Sequence, residues 1–339
     1  MILKIILIYI LIYLINLCLK KLNYLKSSTG SSHQLFANIS IPLSGGILIF
    51  FPLIFFFAQI YTEIVLIYFL IFILGILSDL NILESPKKRF FYQVIIIIIF
   101  SSYMQMEVLP SRILIVDNFL MGTYFSFIFT SFCLMVLING SNFMDGLNGL
   151  FLGYFLIILA ILYNLKLYDV LLIQEENFFL IIQILLFILF LNFSNQLFLG
   201  DNGAYSLSFF IGCLLIEIYN NYSNLSPYFI ILLLWYPCYE NLFSILRKLI
   251  FKKNPLKPDN SHLHHHIFIF IKSKFEIKNL WANNISSLMI NLFNLIILYS
   301  GSLKPYNTSF QIQLILFSII SYTFTYFFLK RLIRKLKYN

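Results

Sequence analysis

Long apolar stretches recur from one end of this 339-residue chain to the other, separated by short polar segments. A stretch of about 16–20 such residues, wound as a helix at 1.5 Å per residue, matches a hydrocarbon layer of about 30 Å. Only 11% of the residues are charged and 60% are hydrophobic, whereas soluble domains carry about a quarter charged residues. The chain therefore reads as an all-α, polytopic integral membrane protein. About eleven spans are expected, near 2–19, 43–61, 63–77, 91–107, 119–138, 150–166, 178–193, 204–219, 227–249, 280–299 and 310–329. No polar stretch is long enough for a separate soluble domain, so residues 1–339 are expected to form a single transmembrane domain.

The first apolar segment, Ile5 to Leu19, runs into Lys20 and Lys21 without a small-residue cleavage site, which predicts a retained helix and not a removed signal peptide. Cys18, Cys133, Cys213 and Cys238 lie scattered in apolar runs without CxxC spacing, which argues against a disulfide framework or a thiolate metal site. The basic residues set the orientation, because Lys and Arg collect on the cytoplasmic side. Alternate loops hold 19 of the 23: Lys20, Lys21 and Lys26, then Lys87, Lys88 and Arg89, then eight from Arg247 to Lys278, then five from Lys330 to Lys337. Lys4, Arg112, Lys166 and Lys304 remain for the other side. The N-terminus is thus expected outside and the C-terminus inside. The formal charge of +9 is this topology signal, with attraction to anionic lipid, and no indication of nucleic-acid binding.

Four polar islands fall on that same cytoplasmic side: the loop around Asp79, Asn139 to Gly149, Asn195 to Gly203, and Pro255 to His266. In the second, Asn139, Asn142, Asp145 and Asn148 recur every third residue and would form one polar stripe on a helix. A carboxylate in a membrane helix costs about 2.5–3.5 kcal/mol on insertion scales, so Asp145 is read as functional; the plainer reading is a polar contact between helices. Asp201, between two glycines in FLGDNGA, either caps the following helix or serves as an oxygen ligand. With Asn142 and Asp145 it suits Mg²⁺, with Mn²⁺ as a substitute, since such an ion takes one or two protein ligands and fills its shell with water and phosphate. NPLKPDNSHLHHH holds four of the five histidines, which suit zinc, a solvated loop, or hydrogen bonding to phosphate beside Asp259, Lys257 and Arg247. His33 reads as an ordinary loop histidine, and Pro42, Gly45 and Gly46 as a hinge at a span entrance.

Taken together, PLSGG, NFMDGLNGL, FLGDNGA, ENLFSILRK and PDNSHLHH resemble the polyprenyl-phosphate N-acetylhexosamine-1-phosphate transferases, glycosyltransferase family 4, related to the lipid I synthase phospho-MurNAc-pentapeptide transferase. PDNSHLHH is similar to the nucleotide-sugar branch. The resemblance implies a bacterial inner-membrane enzyme with its active site on the cytoplasmic face. It would transfer a sugar 1-phosphate from a UDP-N-acetylhexosamine to polyprenyl (undecaprenyl) phosphate and release UMP, starting lipopolysaccharide, cell-wall or other surface glycans. It implies Asn142 and Asp201 as Mg²⁺ ligands and Asn148 near the uridine. His262, His264 and His265 would contact the diphosphate with Lys87 or Lys88 nearby, while Asp145 would organise the metal shell or contact the nucleotide. Asp79, Asp145 and the three histidines are thus the expected catalytic residues; Ser78, Lys87, Lys88, Asn148, Arg247 and Asp259 are the expected substrate contacts. A homodimer is compatible with the sequence.

One departure stands out. The family usually carries paired aspartates after the third span, and GILSDL offers Ser78 and Asp79. A phosphate monoester has a second pKa of about 6, so the acceptor is already mostly dianionic near neutral pH and Ser78 need only orient it; Asp79 also has a purely structural reading as a loop residue. Two rivals from other classes are a transporter or lipid flippase and a catalytically inactive scaffold homologue. Transporters place their ionisable groups near the bilayer midplane, whereas these sit at one edge. Lipid-dependent UMP release separates the enzyme from both.

Overall fold

The computed structural model describes residues 2–22, 41–60, 62–108, 110–121, 125–171, 174–252, 254 and 261–338. Their regular structure is helical. In chain order the helices are α1 (Ile2–Lys21), α2 (Gly45–Ile60), α3 (Thr62–Asp79), α4 (Pro86–Tyr103), α5 (Leu114–Leu120), α6 (Phe125–Met144) and α7 (Leu150–Asn164), then α8 (Glu175–Phe193), α9 (Gly200–Asn221), α10 (Pro227–Leu233), α11 (Trp235–Ile250), α12 (Leu263–Phe275), α13 (Asn279–Ser302) and α14 (Thr308–Tyr338).

Among the described residues six helices are long and apolar enough to cross a membrane: α1, α6, α8, α9, α13 and α14. The α10–α11 pair makes a seventh if its 72° bend is counted as one broken span. The expected eleven spans are therefore resolved more coarsely, with shorter apolar helices at Gly45–Phe55, Ile64–Asp79 and Leu150–Asn164. The expected span at 91–107 is α4, which starts at Pro86 and takes Lys87, Lys88 and Arg89 into its first turn. Proline suits that position because the amide it lacks has no intrahelical partner there.

The expected continuous span 227–249 is corrected by the break at Leu234, and Pro237 supplies the reason. A proline ring collides with the carbonyl four residues earlier, here Leu233, and the helix cannot run through that point. The carbonyl oxygen of Leu233 instead accepts a hydrogen bond from the Tyr154 hydroxyl at 2.8 Å, and Pro237 falls in the first turn of the new helix.

The packing is inside out relative to a water-soluble bundle. On α13 the buried side carries Asn283, Ser286, Ser287, Asn291 and Asn294, while Trp281, Leu288, Leu292, Leu295 and Tyr299 are exposed. On α14 Phe317, Ile320, Phe324 and Phe328 face outward. Apolar side chains outside and amides inside are stable only in an apolar surrounding, which makes this a membrane protein. At the centre stands α9, with 94% of its span buried against 11% for the peripheral α1. Small residues let neighbours approach α9 closely: a Cβ on Gly212 would lie 2.6 Å from Leu134. Its Ser206 and Ser208 hydroxyls bond back to the carbonyls of Asn202 and Ala204.

Candidate active site

The chain enters the site at Asp79, the last residue of α3. Its carboxylate reaches across to the first turn of α9: Oδ1 accepts the Asp201 amide at 2.8 Å, and Oδ2 accepts the Asn202 amide at 3.0 Å and the Asn202 side-chain amide at 2.6 Å. The opening turn of a helix has amides without intrahelical partners, and a carboxylate satisfies both these donors and the positive end of the helix dipole. The cap of α9 therefore comes from Asp79 on another helix, and the alternative in which Asp201 caps its own helix is not what the structure adopts. Asp201 turns instead toward Ser78 and Arg89. The Ser78 hydroxyl donates to Asp201 Oδ2, and Arg89 Nη1 lies 2.6 Å from that same oxygen while also donating to Ser78 Oγ.

The PLSGG motif completes this end. Its backbone pairs with the segment before α9, through Phe198 N to Pro42 O at 2.9 Å, Gly45 N to Phe198 O at 3.0 Å and Gly46 N to Leu199 O at 3.1 Å. A Cβ on Gly46 would sit 1.4 Å from Asn202 Oδ1, so the Asn202 amide fits only because position 46 has no side chain. Gly200, at φ 76°, turns the chain into α9 in a conformation that glycine adopts without strain.

The second island is only partly helical. α6 stops at Met144, so Asn139 and Asn142 share a helix, whereas Asp145 and Asn148 lie in the turn that follows. Asn139 is spent on packing, donating to Met135 O at 2.9 Å and to Gln93 Oε1 at 3.4 Å. Asn142 Oδ1 is buried without a hydrogen-bond partner among the described residues. Asp145 accepts the backbone amide of Gly200. Enclosure, then the charges of Asp201 and Asp79, push its carboxyl well above the usual carboxylate range. A cation bound beside these carboxylates would relieve that repulsion.

Asn148 and its neighbours are held by a mesh of amides. Asn283 Oδ1 accepts the Asn148 amide at 2.8 Å, and Asn148 Nδ2 donates to Asn195 Oδ1 at 2.5 Å. Gly149 N donates to Asn192 Oδ1 at 2.6 Å, and Asn291 Nδ2 donates to Gly149 O at 2.9 Å. Asn283 and Asn291 belong to α13, and a third amide from that helix, Asn284, donates to Phe193 O at 3.0 Å.

The histidine tract, expected in a loop, opens a helix: His262 precedes α12, and His264, His265 and His266 occupy its first turn. Gly146 meets it, since a Cβ there would lie 2.7 Å from His264 Nε2 and 3.6 Å from His265 Nε2. The His264 and His265 rings are 4.2 Å apart, and His262 lies 5.0 Å from Phe143 of the second island. His262 Nδ1 is 2.7 Å from Glu240 Oε1 on α11, whose Oε2 accepts the Tyr322 hydroxyl of α14 at 2.7 Å. His266 turns away, its ring 5.0 Å from Tyr326, and burial followed by the charges of Lys330 and Arg247 pulls it down to about 4. Arg247 and Lys248 are buried at the end of α11, where cations complement the helix dipole.

All four islands therefore meet: the first with the third through Asp79, the third with the second through Asp145 and Gly200, and the second with the fourth through Gly146. Lys87 and Lys88 stay exposed at the start of α4, while Arg89, which the sequence marks only as a topology residue, enters the site. Asp259, Lys257 and His33 lie outside the described residues. Among the described residues no three His, Cys, Asp or Glu side chains gather to hold a metal unaided. The site offers hard oxygen donors instead, Asn142, Asp145 and Asp201, a set that fits Mg²⁺ completed by water and phosphate.

A family model described as glycosyl transferase family 4 matches residues 61–219. The chain is 30% identical over 240 residues to the probable undecaprenyl-phosphate N-acetylglucosaminyl 1-phosphate transferase of Bacillus subtilis, a match spanning 68% of this chain and 66% of that protein. It is 27% identical over 256 residues to the undecaprenyl-phosphate alpha-N-acetylglucosaminyl 1-phosphate transferase of Thermotoga maritima, spanning 76% and 77% of the two chains. It is 28% identical over 295 residues to the phospho-N-acetylmuramoyl-pentapeptide-transferase of Dictyoglomus thermophilum, spanning 81% of this chain and 89% of that one.

Proposed function

This chain belongs to glycosyl transferase family 4, and we propose that it transfers an N-acetylhexosamine 1-phosphate from a UDP-sugar to undecaprenyl phosphate or a similar polyprenyl phosphate, releasing UMP. The observation that carries this reading is the meeting of four polar islands at one end of a bundle whose outer face is apolar. Such a site serves a reaction between a lipid and a soluble anion: the prenyl chain stays among the apolar helices while its phosphate meets the nucleotide sugar at the polar end. The 19-to-4 distribution of basic residues supports a cytoplasmic face for that end, and the bacterial relatives support an inner-membrane location.

In the direct reaction an oxygen of the lipid phosphate bonds to the β-phosphorus of the donor, and the bond from that phosphorus to the oxygen bridging to the α-phosphate breaks, so UMP leaves with that electron pair. The acceptor needs no strong base, because a monoester with a second pKa of about 6 is largely dianionic at neutral pH. Asn142 and Asp201, with Asp145 beside them, would hold Mg²⁺ or Mn²⁺, which would supply charge neutralisation at the diphosphate. Arg89 and Ser78 steady the Asp201 carboxylate from the side of α3 and α4. His262, His264 and His265, with Arg247 and Lys248, offer donors and positive charge to the departing phosphate. Asp79, with both oxygens taken by α9, has the task of placing Asp201.

The test is UMP release by the purified protein in Mg²⁺. Release should require both a UDP-N-acetylhexosamine and a polyprenyl phosphate, and should stop on chelation. A folded protein inert with GlcNAc, GalNAc and 6-deoxy-hexosamine donors alike would overturn the reading.

A further inference from the structure

α14 has 31 residues, a length of about 46 Å at 1.5 Å per residue, and a hydrocarbon layer takes up about 30 Å of it. The part that overhangs is the C-terminal one, because Lys330, Arg331, Arg334, Lys335 and Lys337 all follow the apolar run, and α14 contains no Asp or Glu to offset them. The overhang stays fixed to the bundle. Tyr322, Tyr326, Leu329 and Ile333 are buried at the spacing of one helix face, so the packed side of α14 continues from the span into the basic turns. Lys330 Nζ lies 5.1 Å from the Phe251 ring at the end of α11 and 5.6 Å from the Tyr326 ring, and Tyr326 in turn meets His266 at 5.0 Å. The basic turns therefore stand beside the histidine tract, at the polar end of the bundle.

On the outer side of α14, Phe317, Ile320, Phe324 and Phe328 are exposed, and Arg331, Arg334 and Lys335, also exposed, continue that stripe at steps of three or four residues. A surface that is apolar at hydrocarbon depth and cationic in the next turn has the layout of a phospholipid, acyl chain below and phosphate above. Cations with no carboxylate on their helix favour a headgroup of net negative charge over a zwitterionic one, whose ammonium they repel. We propose that the C-terminal turns of α14 form a docking surface for anionic phospholipid, with Arg331, Arg334 and Lys335 on the headgroup and Phe324 and Phe328 along the acyl chains. The surface is separate from the polar islands and does not depend on the transferase reading.

The test uses the purified full-length protein in neutral detergent, titrated with phosphatidylglycerol or with phosphatidylcholine of the same acyl chains. Thermal melts and native mass spectrometry read the lipid retained. Phosphatidylglycerol should be preferred on the order of tenfold, and the preference should shrink at high salt, which screens exposed charges. In Arg331→Gln/Arg334→Gln/Lys335→Gln the preference should fall to within about twofold of none, while the melt in phosphatidylcholine stays at the wild-type value because these side chains are exposed. Arg331→Lys/Arg334→Lys keeps the charge and should keep the preference. Should the triple variant fold poorly, Arg331→Gln and Arg334→Gln singly should each lower the preference by about two- to fivefold. Equal retention of the two lipids by wild type, or full preference in the glutamine variants, would overturn the proposal. An equal melting shift from inorganic phosphate or from an acidic peptide would overturn it as well, since the stripe would then answer to any anion and not to lipid.

Discussion

The two ends of the site are built differently. At the aspartate end, Asp79, Asp201 and Asn202 are held by backbone amides and by glycines on α2, α3 and α9 that admit no side chain. At the histidine end, reactive side chains project from the first turn of α12, tethered through Glu240 to α11 and α14 and pressed against Gly146. A substitution of Asp79 or of a glycine at the first end should disturb how helices pack; one at the second should alter what the site offers to a ligand. Polar residues of one family pattern thus divide between holding the frame and facing the substrate.

This contrast can be broken experimentally, and the largest effect is expected at Gly46. Gly46→Ala forces a Cβ within 1.4 Å of Asn202 Oδ1, so the protein should lose most of its folded yield in detergent, measured by size-exclusion profile and thermal melt. A folded, active Gly46→Ala protein would show that the aspartate end is not rigidly packed. Next comes Asp79→Ala, which removes three hydrogen bonds and the cap of α9; it should cost about 1–3 kcal/mol in stability and lose turnover as well. His264→Ala should behave in the opposite sense, with a melting temperature close to wild type and turnover reduced about 10- to 100-fold. Equal stability losses in Asp79→Ala and His264→Ala would erase the distinction between the two ends. The smallest effect belongs to Ser78→Ala at pH 8, where the acceptor is already dianionic: Arg89 still holds Asp201, and turnover should fall by only about threefold. A loss near 100-fold would instead make the Ser78 hydroxyl central.

Much of this was legible in the sequence. Apolar run lengths gave the helical membrane class, and the four polar islands that interrupt those runs are the segments the fold brings together. The break at Leu234 was missed although its signal was present, since Pro237 forbids a continuous helix through Leu233. The polar residues of α13 were also visible as a stripe, Asn283, Ser287, Asn291 and Asn294, the spacing of one helix face, but they sit inside an apolar run far from any motif. Arg89 and Tyr322 were not separable from their neighbours. A basic residue beside two lysines counts equally for topology, and a tyrosine in an aromatic-rich helix carries no mark of its partner; only the meeting of chain segments 112 and 82 residues apart identifies them.

The asparagine mesh around Asn148 and Gly149 has a consequence of its own. Its members are amides and backbone groups with no net charge, so they neither titrate nor attract counterions. The scaffold under the turn after α6 should keep its shape across changes of acidity and ionic strength that would loosen a scaffold made of ion pairs. Among the described residues the ion pair of Arg89 with Asp201 is a contact that salt can screen, acting against a floor that does not move with it.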